Sequence, residues 1–493
     1  MRVFTLFGFF CVYFFVFVQA RGAPPKVPIL YSTDLYHPHG DPDDHYDLAT
    51  LFAIDQFDIR GIVIDIRGDN VHDVGRAPLE QMMRITGRRV PYAVGLTRDL
   101  NDPTDKVLDV PSRFQGGVEL ILSSLREAEQ KVVLFLAGSC RDAAVALNRD
   151  PDLLKEKIKA LYINAGNYPS GLQWEHNVRM APVSYFRLFR SGLPIYWCPC
   201  WASESAETRE KSRRRPNLAT YYQADQTEVV AACTSPVQNY FVYCLTRSSA
   251  DPIAFLQSGP HPLPEGIRHM WCTAPLIHAA GWKTYRSDSD QFVALSPDDP
   301  QVSRAGMKEV DVFDFVSMHA TVRQPRATAE AKPPTVESGQ LVAVYQGKTK
   351  DRVGTRSAEP DHRDDCCVRL FGLPERNPIE NIVITGPQDG RWELRETGRW
   401  WRIAHERQDS SMDCYFQFYA AGQHWIEIIL VDGTSKSAKF HVPEPDAMRL
   451  EVELEPAEPN GFVFRATSQE YERVLESCLK HLLARLGRSG ANR

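Results

Sequence analysis

The residues most able to do chemistry are four aspartates near the amino terminus: Asp34, Asp41, Asp43 and Asp44. They fall within eleven residues, after a predicted strand and at the start of a predicted helix. Carboxylates this close repel one another, and a bound cation or a shared proton relieves the repulsion. Oxygen ligands of this kind suit a hard divalent ion. A solvated acidic turn, in which Asp43 or Asp44 is the anion at a helix amino terminus, fits the same residues.

Three histidines in the same segment keep a second metal chemistry open: His37, His39 and His45. Imidazole beside carboxylate suits zinc or another transition ion better than calcium. The alternative is that Pro38 and Pro42 hold a rigid, exposed loop in which the histidines have no metal role. We expect an oxygen-liganded ion first and zinc as the less favoured choice.

The elements that would position these residues alternate between short β-branched runs and helical stretches. The predicted strands are Val27–Ser32, Ile59–Ile66, Val90–Val94, Val132–Leu136, Lys159–Asn164 and Leu193–Trp197. The predicted helices are His45–Ile54, Pro78–Thr86, Gly116–Glu129 and Arg141–Asn148. Continuous apolar strands interleaved with helices indicate an α/β domain whose mostly parallel sheet is covered on both faces. Ligands of such sheets bind beyond the carboxyl ends of the strands, which is where the first aspartate falls.

The rest of the sequence predicts a linker, a second domain and a tail. Strand-like runs at Gln291–Leu295 and Val310–Val316 are expected to finish the α/β domain, which spans 25–322. A linker at 323–338, rich in Pro, Ala and Thr, precedes short strands without helices at 339–446, the pattern of a smaller β-sandwich domain. The tail, 447–493, has two strand-like runs and an amphipathic helix whose leucine stripe is expected to pack internally.

Composition and the amino terminus limit the class of protein. The 493 residues carry 57 basic and 63 acidic side chains, and this net charge of −6 favours small or neutral partners over nucleic acid. The run Arg213-Arg214-Arg215 is therefore expected to be a solvated loop. The apolar stretch Val3–Val18 and the small residue Ala20 predict a signal peptide at 1–20, with a retained membrane anchor as the alternative. We expect a secreted or periplasmic protein without membrane contact after cleavage.

Several short segments, in order along residues 27–320, resemble the inosine-uridine preferring nucleoside hydrolase family. Asp34 with Asp43-Asp44 and Leu48-Ala49 is similar to the family's amino-terminal aspartate cluster. Gly68-Asp69-Asn70 is similar to a segment that carries a substrate asparagine. Leu136-Ala137-Gly138-Ser139-Cys140-Arg141-Asp142 is similar to the Gly-Pro-Leu-Thr-Asn segment. The Met-Gly-Gly and Glu-Phe-Asn elements are matched by Asn164-Ala165-Gly166-Asn167 and Glu175-His176-Asn177.

The resemblance implies an activity and a set of site residues. It implies hydrolysis of the N-glycosidic bond of nucleosides or related ribosides, with Ca²⁺ held by Asp34, Asp44 and the backbone carbonyl of Arg141. Asp34 would also orient or deprotonate the attacking water. The implied substrate-binding residues are Asp43, Asn70, Asn167, Glu175 and Asn177. The chemistry agrees, because cleavage builds positive charge on the sugar, and a cation can bind sugar hydroxyls and a water whose pKa it lowers.

Two departures from the family pattern bear on the metal. Eight residues separate Asp34 from Asp43, where the family has a short turn. The family's late His-Asp-Pro-Leu element supplies the last calcium carboxylate and a histidine near the leaving base, and it is Thr273-Ala274-Pro275-Leu276 here. His278 follows in an apolar run and is expected to be structural rather than a replacement. Loss of one anionic ligand should weaken calcium binding, since affinity follows the ligand charge count.

Two functions therefore remain open. One is a secreted, metal-dependent hydrolase that cleaves N-glycosidic bonds with metal-activated water, and the intact acidic residues favour it. The other is a catalytically inactive or repurposed domain of the same fold that binds a sugar-like ligand, and Thr273-Ala274 favours it. In either case the expected partner is a small ribosyl or sugar-like molecule, and a homo-oligomer is compatible with the sequence.

Overall fold

The computed structural model describes residues 25–37, 43–66, 75–171, 175–203, 208–323, 340–348, 366–373, 378–386, 391–393, 403–407, 411–416, 422–442 and 448–487. The predicted signal peptide, Asn70, His39 and Asp41 lie outside these residues. Within them, no helix is long and apolar enough to cross a membrane.

Strands and helices alternate through the described residues between 27 and 323. The strands are β1 (Val27–Thr33), β2 (Phe57–Ile64), β3 (Tyr92–Val94), β4 (Val132–Ala137), β5 (Ile158–Ile163), β6 (Ile195–Trp197), β7 (Tyr222–Asp225), β8 (Ile267–Met270), β9 (Lys283–Arg286), β10 (Phe292–Leu295), β11 (Lys308–Glu309) and β12 (Phe313–Arg323). The helices are α1 (Asp43–Ala53), α2 (Arg76–Thr86), α3 (Gly116–Glu127), α4 (Arg141–Arg149), α5 (Pro151–Lys157), α6 (His176–Met180), α7 (Pro182–Phe189), α8 (Thr208–Arg213), α9 (Gln226–Ala231), α10 (Ser235–Leu245), α11 (Pro252–Phe255), α12 (Thr273–Ala279) and α13 (Pro300–Arg304). A 3₁₀ turn, Ser112–Phe114, precedes α3.

The described residues after 339 form mostly strands. They are β13 (Val342–Lys348), β14 (Cys366–Phe371), β15 (Ile379–Thr385), β16 (Arg391–Glu393), β17 (Ile403–Arg407), β18 (Ser411–Phe416), β19 (Gly422–Leu430), β20 (Ser435–Val442), β21 (Arg449–Leu454) and β22 (Gly461–Ala466). Helix α14 (Tyr471–Arg485) follows them.

A nine-stranded sheet in the order β21-β12-β22-β6-β5-β4-β1-β2-β3 forms the centre of the molecule. From β22 to β3 each neighbouring pair is parallel, whereas β12 is antiparallel to both of its neighbours. All six residues of β4 are apolar and buried, as expected for a strand covered by helices on both faces. The predicted α/β class with a mostly parallel sheet is therefore confirmed.

Two small antiparallel sheets follow, as predicted for the second domain. Their orders are β13-β14-β18-β17 and β16-β15-β19-β20. Buried residues of both sheets share one apolar cluster, which includes Val368 and Leu370 from the first sheet and Ile382, Ile426 and Ile428 from the second. Shared burial of this kind is the packing that makes a β-sandwich stable.

The tail completes the large sheet, whereas the sequence predicts that the runs at 291–295 and 310–316 finish the α/β domain; the second run overlaps β12 of this sheet. Strand β22 lies between β12 and β6, and β21 forms the edge. The run at 291–295 instead forms β10 of a separate three-stranded sheet, β10-β9-β11. Residues 324–448, which contain the two small sheets, are thus inserted between neighbouring antiparallel strands, since Arg323 pairs with Arg449.

Helix α14 packs against the α/β domain through its predicted leucine stripe. Leu475, Leu479, Leu482 and Leu483 are fully buried in the large apolar core.

The basic run at residues 213–215, which was predicted to be a solvated loop, is only partly exposed to solvent. Arg215 is buried, its guanidinium lies 4.6 Å from the ring centroid of Tyr471, and only the two preceding arginines reach carboxylates near the surface. An aromatic face and a backbone carbonyl replace water around this charge.

Candidate active site at the carboxyl ends of the central strands

The candidate site begins at Asp34, immediately after β1. Its side chain is buried although it carries a carboxylate. Gly138, which follows β4, lies directly against it: a Cβ at position 138 would be 2.7 Å from the Asp34 backbone nitrogen and 2.6 Å from Asp65 Oδ2. Any larger residue at Gly138 would therefore push apart the carboxyl ends of β1 and β4.

The amino terminus of α1 brings a second group of carboxylates to the same place. Thr33 Oγ1 donates a hydrogen bond to Asp44 Oδ1 at 3.2 Å, which ties α1 to the end of β1. Burial raises the pKa of Asp44 well above its ordinary value, and Asp34, Asp43 and Asp47 raise it further. The aspartates are therefore close enough to repel one another, and a cation in their midst would stabilise their charged forms.

Sequence reasoning missed Asp65, which follows β2. Asp65 is fully buried, and Ser139 Oγ donates to its Oδ1 at 2.9 Å. Burial raises the pKa of Asp65, and the Arg141 guanidinium, 3.5 Å away, acts in the opposite direction. The signal in the sequence was a single charge inside the apolar run Ile62-Val63-Ile64-Asp65-Ile66, at the position where a strand ends.

The side chain and the backbone carbonyl of Arg141 have separate places at the site. Its side chain donates to Ser139 Oγ at 2.8 Å and to the Ile66 carbonyl at 2.9 Å, so it links the ends of β2 and β4. Its carbonyl, the predicted third calcium ligand, belongs to the first turn of α4, where a helical carbonyl points toward the amide four residues later. The role of this carbonyl as a ligand stays a prediction.

Glu175 organises the loop after β5. Its carboxylate caps α6, accepting from the Asn177 amide at 3.0 Å and the Val178 amide at 3.1 Å, and it also accepts from the Gly166 amide at 3.0 Å. Burial raises the pKa of Glu175 while these three amides lower it. Its predicted contact with substrate is untested, but its hydrogen bonds already fix the neighbouring residues.

Two asparagine side chains that are predicted to bind the sugar each have an amide oxygen without a hydrogen-bond partner among the described residues. Asn167 is almost fully buried, and its Oδ1 has no hydrogen-bond partner among the described residues. The same holds, within that part of the chain, for Oδ1 of Asn177. A buried acceptor without a partner is costly unless a ligand or water satisfies it. Asn164, at the end of β5, supports this region by donating to the Cys198 carbonyl at 2.8 Å and accepting from Cys272 Sγ at 2.7 Å.

His176 is a further side chain that sequence reasoning did not assign to the site. Its Nε2 lies 3.7 Å from Asp34 Oδ2, and its Nδ1 lies 3.3 Å from Arg179. The signal was present in the sequence, since this imidazole stands between two residues already assigned to the site, Glu175 and Asn177.

The predicted zinc alternative receives little support from the described histidines. His37 stacks on Tyr243 with ring centroids 4.5 Å apart, and its Nε2 lies 2.8 Å from the Ser248 carbonyl. His45 is fully buried beside Tyr240. Among the described residues, no three His, Cys, Asp or Glu side chains already converge as a metal-binding group.

The segment Thr273-Ala274, at the start of α12, supplies neither a carboxylate nor an imidazole. Thr273 Oγ1 lies 2.7 Å from the hydroxyl of Tyr222, and Ala274 is fully buried. His278 is structural, as predicted: its Nδ1 lies 2.8 Å from the Tyr162 hydroxyl, and burial, followed by Lys283, lowers its pKa to about 4. These contacts favour the predicted structural role over a replacement.

Comparison with known proteins gives a partial similarity. No protein-family model matches the chain. Pyrimidine-specific ribonucleoside hydrolases from Escherichia coli strains are 25% identical over 189 residues, which cover 34% of this chain. The chain spans 58% of the length of these curated relatives.

Solved structures of nucleoside hydrolases were also matched. The inosine-uridine preferring enzyme from Bacillus anthracis is 14% identical, with a TM-score of 0.32, over 55% of this chain and 91% of its own. The purine-preferring ribonucleoside hydrolase from Gardnerella vaginalis is 15% identical, with a TM-score of 0.33, over 55% of this chain and 85% of its own.

Proposed function

We propose that this protein hydrolyses the N-glycosidic bond of a small ribosyl compound. The observation that carries the proposal is the buried aspartate group at the ends of β1 and α1, in which Asp34 and Asp44 are close enough to perturb one another. The curated relatives, which are named as ribonucleoside hydrolases, supply the reaction class.

The chain's own residues account for most of the reaction. Asp34 would orient the attacking water and accept its proton, a task that suits a carboxylate held at the end of a rigid strand. Asp43 and the free acceptors of Asn167 and Asn177 would hold the sugar hydroxyls. Negative charge from the aspartates would stabilise the positive charge that develops on the ring.

A calcium ion fits the donor chemistry of this site. The proposed ligands are oxygen atoms only and they are buried, and burial and, second, the neighbouring aspartates raise the pKa of Asp44. Asp34, Asp44 and the Arg141 carbonyl would hold the ion, which would lower the pKa of a bound water and bind sugar hydroxyls. We also propose that the protein is exported, on the strength of the apolar run at residues 3–18. Amino-terminal sequencing of the exported form should begin at Arg21.

The second candidate function is sugar binding without catalysis. It is favoured by Thr273 and Ala274, because neither supplies a charge or an imidazole to the leaving group, and the Thr273 hydroxyl is already engaged by Tyr222. A binding protein would retain affinity for ribosides and release no base.

An assay of base release distinguishes the two functions. The protein is incubated with a panel of nucleosides, with and without EDTA, and the released base is measured by chromatography. Asp34→Asn should lower kcat/KM by roughly 10²–10⁴-fold, the usual effect of removing a general base. Asp298→Asn is the matched control, since this carboxylate is exposed and far along the chain from the site. If the purified protein binds ribosides but wild type and Asp34→Asn release equal, background amounts of base, the hydrolase proposal is wrong and the binding function stands.

A further inference from the structure

We propose that Asp47 supplies the carboxylate that this chain lacks at Ala274, and so acts as the third anionic ligand of a divalent-cation site with Asp34 and Asp44. The inference rests on the proposed function, because it completes the cation site assigned there. It concerns a residue that neither the family pattern nor the chain's spacing assigns to the metal.

The position of Asp47 on α1 is the first support. It lies three and four residues after Asp44 and Asp43, a spacing that places side chains on the same face of a helix. Asp47 is therefore held beside the aspartate group by the same helix that positions Asp44. Its relative exposure is only 2%, so its carboxylate is not a solvated surface charge.

The hydrogen bonding of Asp47 is the second and independent support. Its Oδ1 is buried and has no hydrogen-bond partner within the described part of the chain. Leaving a buried acceptor unsatisfied costs free energy, and the cost is larger if the acceptor is charged. A ligand that binds at this oxygen would remove that cost. This oxygen is therefore a donor atom that a cation beside Asp34 and Asp44 could use.

The neighbours of Asp47 connect it to the position of the lost ligand. The backbone amide of Cys272 hydrogen-bonds to the Asp47 carboxylate. Cys272 is the residue before α12, and Ala274 is the second residue of that helix. Asp47 therefore approaches the start of α12 from α1, at the place where Ala274 presents only a methyl group.

The charges around the aspartates agree with this assignment. The pKa of Asp47 is raised to about 7, mainly by burial and also by the charge of Asp34, although hydrogen bonds from Cys272 act in the opposite direction. Asp47 in turn raises the pKa of Asp44. The described side chains do not yet meet as a three-ligand group. The terminal torsion of an aspartate is soft, so a cation can draw the free oxygen of Asp47 toward Asp34 and Asp44 at little cost.

A compensation experiment tests the proposal with calcium alone as the probe. Calcium affinity is measured by calorimetry, and the Ca²⁺-induced rise in Tm by thermal melts, on the full mature chain. Asp47→Asn should weaken calcium binding roughly tenfold or more and reduce the Tm rise, because the ligand charge count falls. Asp47→Asn combined with Ala274→Asp should restore most of both. Asp298→Asn should behave as wild type.

Ala274→Asp alone provides a second measurement that does not depend on the folding of Asp47→Asn. If Asp47 already fills the role, an added carboxylate at position 274 should change the calcium affinity of the otherwise wild-type chain little. Equal calcium affinity of wild type and Asp47→Asn would overturn the proposal, as would strong tightening by Ala274→Asp alone. A wild-type protein without calcium response would also overturn it, whereas base release that persists in EDTA would still support the hydrolase.

Discussion

Ending the chain after Arg323 tests whether the last strands and helix are structural parts of the α/β domain. This truncation removes β22 from between β12 and β6, and it removes α14 from the core. Because β22 lies between two other strands, both would lose a row of backbone hydrogen-bond partners. We expect the truncated chain to lose its cooperative thermal transition.

The expected loss of folding free energy is estimated from the buried side chains of α14. The fully buried residues are Tyr471, Val474, Leu475, Cys478, Leu479, Leu482 and Leu483. At about 1.5–3 kcal/mol for each large apolar side chain, their burial contributes roughly 10–20 kcal/mol. Ordering the helix costs conformational entropy that offsets part of this gain, and burial of the core surface that faces the helix adds to the favourable side. The total stability of a domain is about 5–15 kcal/mol, so removal should unfold it.

A matched deletion separates the tail from the inserted strands. Because Arg323 and Arg449 are paired on adjacent antiparallel strands, an Asn-Gly turn can join them in place of residues 324–448. This shortened chain should keep a cooperative melt and a native near-ultraviolet circular dichroism spectrum. The reasoning is refuted if the chain that ends at Arg323 melts as cooperatively as the shortened chain, because α14 would then contribute nothing.

Two further predictions concern buried charges. His278 has a pKa of about 4 in the folded protein because of burial and, second, the charge of Lys283. As pH drops, the unfolded chain therefore binds a proton at this histidine before the folded protein does. The free energy of unfolding should fall as pH drops from about 6.5 to about 4. His278→Gln should remove up to about 3 kcal/mol of that pH dependence in urea unfolding, and an unchanged profile would contradict it. Arg215→Ala should lower the free energy of unfolding by about 2–4 kcal/mol, because the buried guanidinium donates to a backbone carbonyl and stacks on Tyr471. Arg214→Ala, at an exposed position, should change the free energy of unfolding by no more than about 0.5 kcal/mol. Equal losses in the two variants would show that burial of Arg215 does not matter.

The class of the main domain was predictable because its signals are local. The apolar run of β4 and the helical stretch of α4 follow each other within a few residues, and their periodicities differ. The aspartates of the candidate site were also predictable as a group, since Asp34, Asp43 and Asp44 are close in sequence and lie at the junction of β1 and α1. Their individual roles stay predictions.

Other parts of the site could not be predicted, because their partners are distant in the sequence. Asp65 has a role only through Ser139 and Arg141, more than seventy residues later. Asp47 looks like an ordinary polar position of α1 until the fold brings the amide of Cys272 to it. Local pattern gives no information about such pairs, since neither member requires the other in order to form its own helix or strand.

The sequence by itself determined the alternation of strands and helices, the strand-rich segment between 339 and 446, and the acidic group at the end of the first strand. Each depends on neighbouring residues whose hydrophobic period selects one local structure. Only the tertiary structure decided that the tail returns to complete the sheet, that Arg215 is buried, and that Asp47 lies beside Ala274's helix. These arrangements depend on which apolar and polar surfaces fit together across long stretches of chain, and that fit exists only once the core has formed.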